Sequence, residues 1–172
     1  MAAVLSAYLA MDPKPASDSR SVLVHWMGIG DTNASGFVHG GTVLKLADEV
    51  AGLAAMRHSR RRVVTAGVDR VTFLVPIEMG ELVTLSASVN AVWRTSMEVG
   101  VRVTSERPSR EDGPRHTNTA YFTMVALDQD GRPTIAPPLL LETDDEHRRE
   151  REAQTRRHNR LTEREQLQRT GL

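Results

Sequence analysis

Apolar and polar positions recur at two different spacings along this chain, and these spacings predict one helix and several strands. Between residues 43 and 54 the apolar positions follow helical spacing, which is typical of the buried stripe of a helix. The positions of that stripe are Val43, Leu46, Ala47, Val50 and Ala54. Residues 81–93 and 96–106 instead alternate between apolar and polar side chains, as half-buried strands do. The pattern therefore predicts a central helix together with antiparallel strands.

Three further segments carry strand signals. Residues 21–27 form a short apolar run that is followed by glycines. Residues 63–74 are rich in β-branched side chains and stop before Pro76, which cannot continue a ladder. Residues 116–127 end at an Asp-Gln-Asp-Gly sequence, which is a strong turn signal. The chain is therefore expected to form five strands.

The connections between these segments predict the fold class. Residues 81–93 and 96–106 are joined by only Arg94 and Thr95, so they are expected to pair as an antiparallel hairpin. We expect an α+β fold, in which a five-stranded antiparallel sheet wraps around one long central helix. The strand before the helix joins the same sheet, and the four strands after the helix follow in meander order.

The chain divides into three stretches of different composition. Residues 1–20 are expected to be a flexible N-terminal segment, and residues 21–140 hold the folded domain. Residues 141–172 are dense in arginine and glutamate and have few apolar positions, which indicates a solvated, charged helix or tail. One helix on a five-stranded sheet leaves the sheet edges and a flank of the helix uncovered, so we expect self-association.

Composition excludes several classes of function. The 172 residues carry 22 basic and 22 acidic side chains, so no global field attracts nucleic acid. The absence of cysteine excludes thiolate chemistry and is compatible with the cytoplasm. Residues 1–10 are apolar but too short to span a bilayer and lack a basic start, so neither a signal peptide nor a membrane anchor is expected. The six histidines lack metal-ligand spacing, so no metal site is expected.

The start of the central helix carries the candidate chemistry. Gly40 and Gly41 precede the apolar stripe, where small residues admit another molecule and free N–H groups attract negative charge. Asp48 follows Gly41 by seven residues, nearly two turns at about 100° per residue, so both lie on one helix face. Two interpretations are open. Asp48 and the adjacent Glu49 lie in water on a solvated face, or Asp48 activates a water beside a carbonyl held by the helix N-terminus.

Two other groups of residues have open roles. His39 lies where the loop meets the helix, either as a cap hydrogen-bonded to the backbone or as a base that works near neutral pH. Arg94, Thr95 and Ser96 at the hairpin tip combine a forked donor with two hydroxyls, and form either a polar turn or a phosphate contact.

Taken as a set, these residues resemble a known family. Residues 33–45, NASGFVHGGTVLK, with Asp48 and Glu49 following, resemble the start of the central helix in hotdog-fold acyl-CoA thioesterases. The branch in question contains brain-type acyl-CoA hydrolase and its bacterial relatives. The likeness continues through residues 68–76, VDRVTFLVP, and extends over roughly residues 21–140. The HGG sequence at the start of the helix and the F-L-x-P sequence at the end of the strand are specific as a set, and neither would be specific alone.

The resemblance implies a hotdog fold that pairs into a double hotdog, often as a trimer of dimers. It also implies hydrolysis of fatty acyl-CoA to free fatty acid and CoA, with no cofactor, because CoA is part of the substrate. Asn33 matches the family's catalytic asparagine and Asp48 its catalytic aspartate, in a site assembled across the dimer interface. Asp48 would act as general base or nucleophile, and Asn33 would position water or substrate.

The resemblance also gives expectations for the remaining candidates. N–H groups near His39, Gly40 and Gly41 would hold the thioester oxygen. The tip at residues 94–96 falls where related enzymes contact the phosphates of CoA.

Two alternative functions are weighed against hydrolysis. A hotdog hydratase or dehydratase has a histidine five residues after its aspartate, and neither Asp31 nor Asp48 is followed in that way. A non-catalytic acyl-CoA sensor would lack the acid and carry a DNA-binding segment, whereas Asp48 is present and no helix-turn-helix is visible.

Overall fold

The computed structural model of the chain describes Tyr8 and residues 10–170. The apolar segment at residues 1–10 lies almost wholly outside the described residues. In chain order, the elements are β1 (Lys14–Pro15), β2 (Ser21–Trp26), α1 (Gly40–Ser59), β3 (Arg62–Val68), β4 (Leu82–Trp93), β5 (Ser96–Glu106), β6 (Arg115–Leu127), β7 (Leu139–Leu140) and α2 (Asp144–Arg169). Single helical turns at Ala16–Ser19 and Ile29–Asp31 complete them.

The sheet is antiparallel and has five strands in the order β2-β4-β5-β6-β3. The hairpin and the position of β2 in the same sheet are confirmed. The prediction of four strands in meander order is wrong, because only β4, β5 and β6 follow one another. β3 lies at the opposite edge and pairs with β6. The segment at residues 69–81 is long enough to cross the sheet, whereas the two-residue hairpin forces β4 and β5 to be neighbours.

Helix α1 packs its predicted stripe against the concave face of the sheet. All five stripe residues are buried, and further alanines at 51 and 55 bring the helix close to the strands. The facing core is formed mainly by valine, with Leu85, Met97, Phe122 and Met124 as its largest members. This long helix wrapped by an antiparallel sheet is the hotdog arrangement that the resemblance implies.

Strand β3 ends earlier than predicted. It stops at Val68 and not at residue 74, after a register shift between Thr65 and Gly67. The chain then leaves the ladder to pass over the start of α1, where the Phe73 ring lies against Gly40. β-branched composition favours an extended backbone, but pairing depends on whether a neighbouring strand continues, so the pattern alone overestimates the strand.

The end of the N-terminal segment is packed, not flexible. Strand β1 pairs with β7 in parallel, and Ala16 and Ser19 are buried. The Ser19 hydroxyl accepts a hydrogen bond from the Val89 N–H at 2.9 Å. The Lys14 Nζ donates to the His58 carbonyl at 2.9 Å, near the C-terminal end of α1. These contacts connect residues far apart in sequence, which explains why local composition suggests a loose segment.

His58 is a buried histidine at the end of α1. Its Nε2 lies 2.8 Å from the Pro137 carbonyl, and therefore donates the proton of a neutral ring. Its Nδ1 is buried and finds no hydrogen-bond partner among the described residues. Burial lowers the pKa of His58, and this effect outweighs the opposing influence of the Pro137 carbonyl. The ring is therefore neutral in the folded protein near neutral pH.

The charged C-terminal segment forms helix α2. Thr143 caps it, accepting from the Glu146 N–H at 3.2 Å while the Glu146 carboxylate accepts from the Thr143 N–H at 3.2 Å. The expectation of a fully solvated helix is incomplete, because Glu146 and Ala153 are buried. One side of α2 lies on the convex face of the sheet, away from α1, and places arginines over that face.

The protomer exposes apolar side chains along β3, the flank of α1 and the segment after β3. They are Leu53, Met56, Val64, Val68, Phe73 and Leu74. β3 is also an edge strand, so one row of its backbone groups has no partner strand in the described part of the chain. Within the part of the chain that the structure describes, no helix combines the length and apolarity needed to cross a membrane.

Candidate functional site

The loop before α1 is organised by Asp31. Its Oδ2 accepts from the Gly28 N–H at 2.8 Å and lies 3.2 Å from Nε2 of His25. The Gly28 hydrogen bond lowers the pKa of Asp31, and His25 adds to this effect while burial opposes it. The Asp31 carbonyl accepts from the His39 N–H at 2.9 Å, which fixes the first residue before the helix. The sequence pattern does not predict this role of Asp31, because the bonds that Asp31 makes depend on how the loop folds.

Asn33 shapes the turn that follows. Its Oδ1 accepts from the N–H groups of Ser35 at 2.9 Å and Phe37 at 3.3 Å. The turn also contains Gly36 at a φ of 80°, a conformation that favours glycine. Asn33 is exposed, and its Oδ1 is used within the loop. Its Nδ2 is therefore the group that can donate to water or to a ligand.

The N-terminus of α1 offers free backbone donors. His39 caps it through the backbone, since its carbonyl accepts from the Thr42 N–H at 3.0 Å and its side chain makes no cap bond. Among the described residues, the N–H groups of Gly40 and Gly41 have no acceptor. A Cβ on Gly40 would lie 3.2 Å from the Phe73 ring, whereas a Cβ on Gly41 would meet nothing within 4 Å. The space in front of Gly41 is therefore open to a ligand.

The two adjacent acids of α1 have different surroundings. The Thr65 hydroxyl donates to Oδ1 of Asp48 at 2.5 Å, joining the helix to strand β3. Among the described residues, Glu49 forms only a 3.9 Å pair with Lys45, and its side chain is 49% exposed. Glu49 fits the solvated interpretation, whereas Asp48 has a specific partner. Sequence reasoning missed Thr65, because a hydroxyl in a β-branched run carries no signal of its own.

The hairpin tip lies far from the helix N-terminus within one protomer. Ser96 shares a row of the sheet with Val125 and Val64, toward the C-terminal end of α1. Val64 is followed by Thr65, the partner of Asp48, and Asp48 lies about 12 Å along α1 from Gly40. Arg94 is exposed and has a φ of 50°. A single protomer therefore does not bring residues 94–96 together with Gly40 and Gly41.

No cluster of three or more histidine, cysteine, aspartate or glutamate side chains in the described residues has the geometry to hold a metal ion.

Comparison with known proteins shows the family to which the chain belongs. The Thioesterase superfamily matches residues 35–111. The chain belongs to the thioesterase superfamily and has the hotdog fold. It is similar to the cytosolic acyl coenzyme A thioester hydrolase of Rattus norvegicus, with 38% identity over 154 residues. That match covers 89% of this chain but only 40% of the rat protein.

Solved structures resemble nearly the whole chain. An acyl-CoA hydrolase from Staphylococcus aureus, in complex with butyryl coenzyme A, coenzyme A and coenzyme A disulfide, is 31% identical with a TM-score of 0.85. The match covers 92% of this chain and 96% of that one. A hexameric acyl-CoA thioesterase is 35% identical with a TM-score of 0.85, and the match covers 89% and 97% of the two chains.

Three structures of the S. aureus enzyme carry alanine in place of an asparagine, an aspartate and a threonine. In that enzyme the aspartate follows the asparagine by 15 residues, and the threonine follows the aspartate by 17. Asn33, Asp48 and Thr65 have the same spacing in this chain.

Proposed function

We propose that this protein hydrolyses fatty acyl-CoA thioesters to free fatty acid and CoA, with Asp48 as general base or nucleophile. The observation that carries the proposal is the 2.5 Å hydrogen bond from Thr65 to Asp48, which holds one acid of α1 while its neighbour Glu49 is left to solvent. Membership of the thioesterase superfamily and the shared spacing of Asn33, Asp48 and Thr65 support it.

The proposed reaction divides among groups at the start of α1, in its middle and in the preceding loop. The N–H groups of Gly40 and Gly41 donate to the thioester oxygen and stabilise the negative charge that develops there. Thr65 holds Oδ1 of Asp48, which leaves Oδ2 to take a proton from water as the water oxygen attacks the carbonyl carbon. The carbon–sulfur bond then breaks, and the CoA thiolate takes the proton that Asp48 accepted from water. In the alternative, nucleophilic mechanism, Asp48 itself attacks the carbonyl carbon, the carbon–sulfur bond breaks and CoA thiolate leaves. Water then hydrolyses the resulting mixed anhydride to free acid and regenerates Asp48. Nδ2 of Asn33 donates to water or substrate.

We propose that a complete site needs two chains, and distances along α1 support this. Seven residues separate Gly41 from Asp48, and at 1.5 Å per residue their backbones lie about 10 Å apart. Reacting atoms must approach to about 3 Å, so the N–H groups and the carboxylate of one protomer do not reach the same thioester. We propose that the helix N-terminus of one protomer meets Asp48 of its partner in a double hotdog.

The apolar surface on β3 and the flank of α1 is the face proposed for that pairing. A trimer of such dimers is the proposed final assembly, supported by the hexameric relative. In the assembly, Arg94, Thr95 and Ser96 are proposed to contact CoA phosphates, because the arginine fork matches phosphate geometry. A cytoplasmic location is proposed from the cytosolic rat relative, and the reaction as proposed uses no cofactor.

Release of free thiol from acyl-CoAs of several chain lengths tests the proposal, with Asp48→Asn as the key variant. This substitution keeps the size of the side chain but removes its basicity, and loss of a positioned base reduces the rate about 10²–10⁴-fold. Glu49→Gln is the matched control and should retain most activity. CoA binding should survive in both variants, since the nucleotide lies far from the thioester.

Other outcomes would assign the activity differently. If Glu49→Gln is inactive while Asp48→Asn is silent, the catalytic acid is Glu49. If both variants are fully active, the acids form a solvated face, and His39 becomes the next candidate. Binding of CoA without thiol release from any acyl-CoA would indicate a non-catalytic sensor.

A further inference from the structure

A carboxylate lies buried under helix α2 on the convex face of the sheet. Glu98 in β5 alternates with the core residues Met97 and Val99, so its side chain points away from α1. It is fully buried, and a buried charge requires partners. Arg156 donates to its Oε1 through Nε at 3.1 Å and Nη2 at 2.7 Å, and Arg160 donates to its Oε2 at 3.2 Å. Two arginines of α2 therefore neutralise one acid of the sheet.

One of these arginines also reaches beyond the sheet edge. Nη1 of Arg160 donates to Oδ2 of Asp69 at 2.7 Å, immediately after the end of β3. The Asp69 N–H donates to the Tyr121 carbonyl at 3.0 Å, and the Arg156 guanidinium lies 3.6 Å from the centre of the Tyr121 ring. The contacts of α2 thus continue from β5 through β6 to the residue at which the chain leaves the ladder.

Asp69 lies midway between two contacts that shape the proposed site. Thr65, four residues earlier, donates to Asp48. Phe73, four residues later, has its ring against Gly40 at the N-terminus of α1. After Asp69, the next backbone N–H of this segment that bonds to a described carbonyl is that of Leu74, at 2.9 Å from the Thr117 oxygen. The ion pair with Arg160 therefore holds the segment between Thr65 and Phe73 at its middle.

We propose that Arg160 is a positioning residue for thioester hydrolysis, acting from the opposite face of the sheet. By holding both Glu98 and Asp69, Arg160 fixes the point at which β3 ends. The position of that point determines whether Thr65 lies beside Asp48 and whether Phe73 lies beside Gly40. The proposal rests on the proposed hydrolase function. It assigns the charged C-terminal helix a part in setting the geometry of the site.

The test compares Arg160→Ala with Arg157→Ala. Arg157 lies on the same helix and stacks on Trp93 at 4.5 Å, but forms no ion pair among the described residues. Misplacement of a catalytic group by about 1 Å lowers the rate by up to about 10²-fold, so we expect kcat of Arg160→Ala to fall about 10- to 100-fold. KM and the affinity for CoA should stay within about twofold, because the residue touches no substrate. Arg157→Ala should keep kcat within about twofold.

Two further measurements separate positioning from folding. Asp69→Asn should reproduce the defect of Arg160→Ala, and the double variant should be no worse than either one, as expected for residues that act through one contact. Arg160→Lys, which keeps one charged contact, should recover part of kcat. Hydrogen exchange of the wild-type and Arg160→Ala proteins should show faster exchange in residues 69–74 of the variant, independently of catalysis.

The outcomes distinguish this proposal from the function on which it rests. An unchanged kcat in Arg160→Ala, or an equal loss in Arg157→Ala, would overturn the positioning role and leave the hydrolase function standing. Defects of Arg160→Ala and Asp69→Asn that simply add would also overturn it. Absence of thiol release from the unsubstituted protein would overturn both.

Discussion

Replacing Thr65 by valine tests the contact on which the proposed chemistry depends. The substitution removes the hydroxyl that donates to Asp48 at 2.5 Å and keeps the β-branched shape that suits strand β3. Asp48 keeps its charge, but one of its oxygens loses its anchor, so the carboxylate is free to rotate away from the attacking water. We expect a lower kcat with little change in folding.

The size of the effect follows from the type of hydrogen bond. A hydrogen bond to a charged group contributes about 1.5–3 kcal/mol, and exposure of both side chains in the protomer favours the lower end of that range. Because about 1.4 kcal/mol corresponds to a factor of ten, kcat should fall about 10- to 30-fold. The free energy of unfolding should change by less than about 1 kcal/mol, since Thr65 is exposed.

Steady-state thiol release and a urea unfolding curve, measured on the same preparations, check both numbers. Thr65→Ser is the matched control, because it keeps the hydroxyl and loses only a methyl group. Full activity in Thr65→Val would show that the hydrogen bond has no catalytic role. Equal losses in the valine and serine variants would assign the effect to strand packing.

Four other outcomes are expected. Gly41→Ala should reduce thiol release at unchanged or slightly higher stability, because the added Cβ enters the open space at the helix N-terminus. Gly52→Ala, whose Cβ would also have no neighbour within 4 Å, is the control and should keep full activity. The free energy of unfolding, measured with urea, should fall as the pH drops below about 6.5, by up to about 1.4 kcal/mol per pH unit. The reason is that the pKa of His58 is lowered in the folded protein, so the unfolded chain binds the proton first. His58→Gln should flatten this slope. Arg94→Asn should weaken CoA binding by about 1–3 kcal/mol but leave the binding of a short acyl-pantetheine unchanged; asparagine is chosen because it tolerates the left-handed backbone of residue 94. Equal losses for both ligands would refute the phosphate contact. Light scattering at micromolar concentration should give at least twice the 19.0 kDa chain mass, and a single-chain mass in active protein would contradict the shared site.

Local patterns predicted the parts of the fold that depend on neighbours in sequence. The stripe from Val43 to Ala54 follows the helical period, and a two-residue connection leaves residues 81–93 and 96–106 little choice but to pair. The pairing of β3 with β6 was not predictable in this way, because it depends on how residues 69–81 cross the sheet.

In the candidate site too, residues that interrupt a local pattern were predictable, whereas residues defined by distant contacts were not. Asp48 and Gly41 stand out because an acid and a glycine interrupt an apolar helix. Thr65 and Arg160 do not stand out, since a threonine in a strand and an arginine in a charged helix are ordinary residues there. Their roles come from contacts with Asp48 and Asp69, which lie 17 and 91 residues away. Helix α2 was expected to be solvated for the same reason, because its pattern does not show that Glu98 lies beneath it.

The pairing of β1 with β7 decides where this domain can be shortened. A chain that starts at residue 21 would lose Ser19, and with it the hydroxyl that accepts from the Val89 N–H inside the sheet. It would also lose Lys14, whose ammonium group satisfies the His58 carbonyl at the end of α1. Both partners would then be left in places that the N-terminal segment now covers, so we expect the smallest stable version of the domain to begin no later than Lys14.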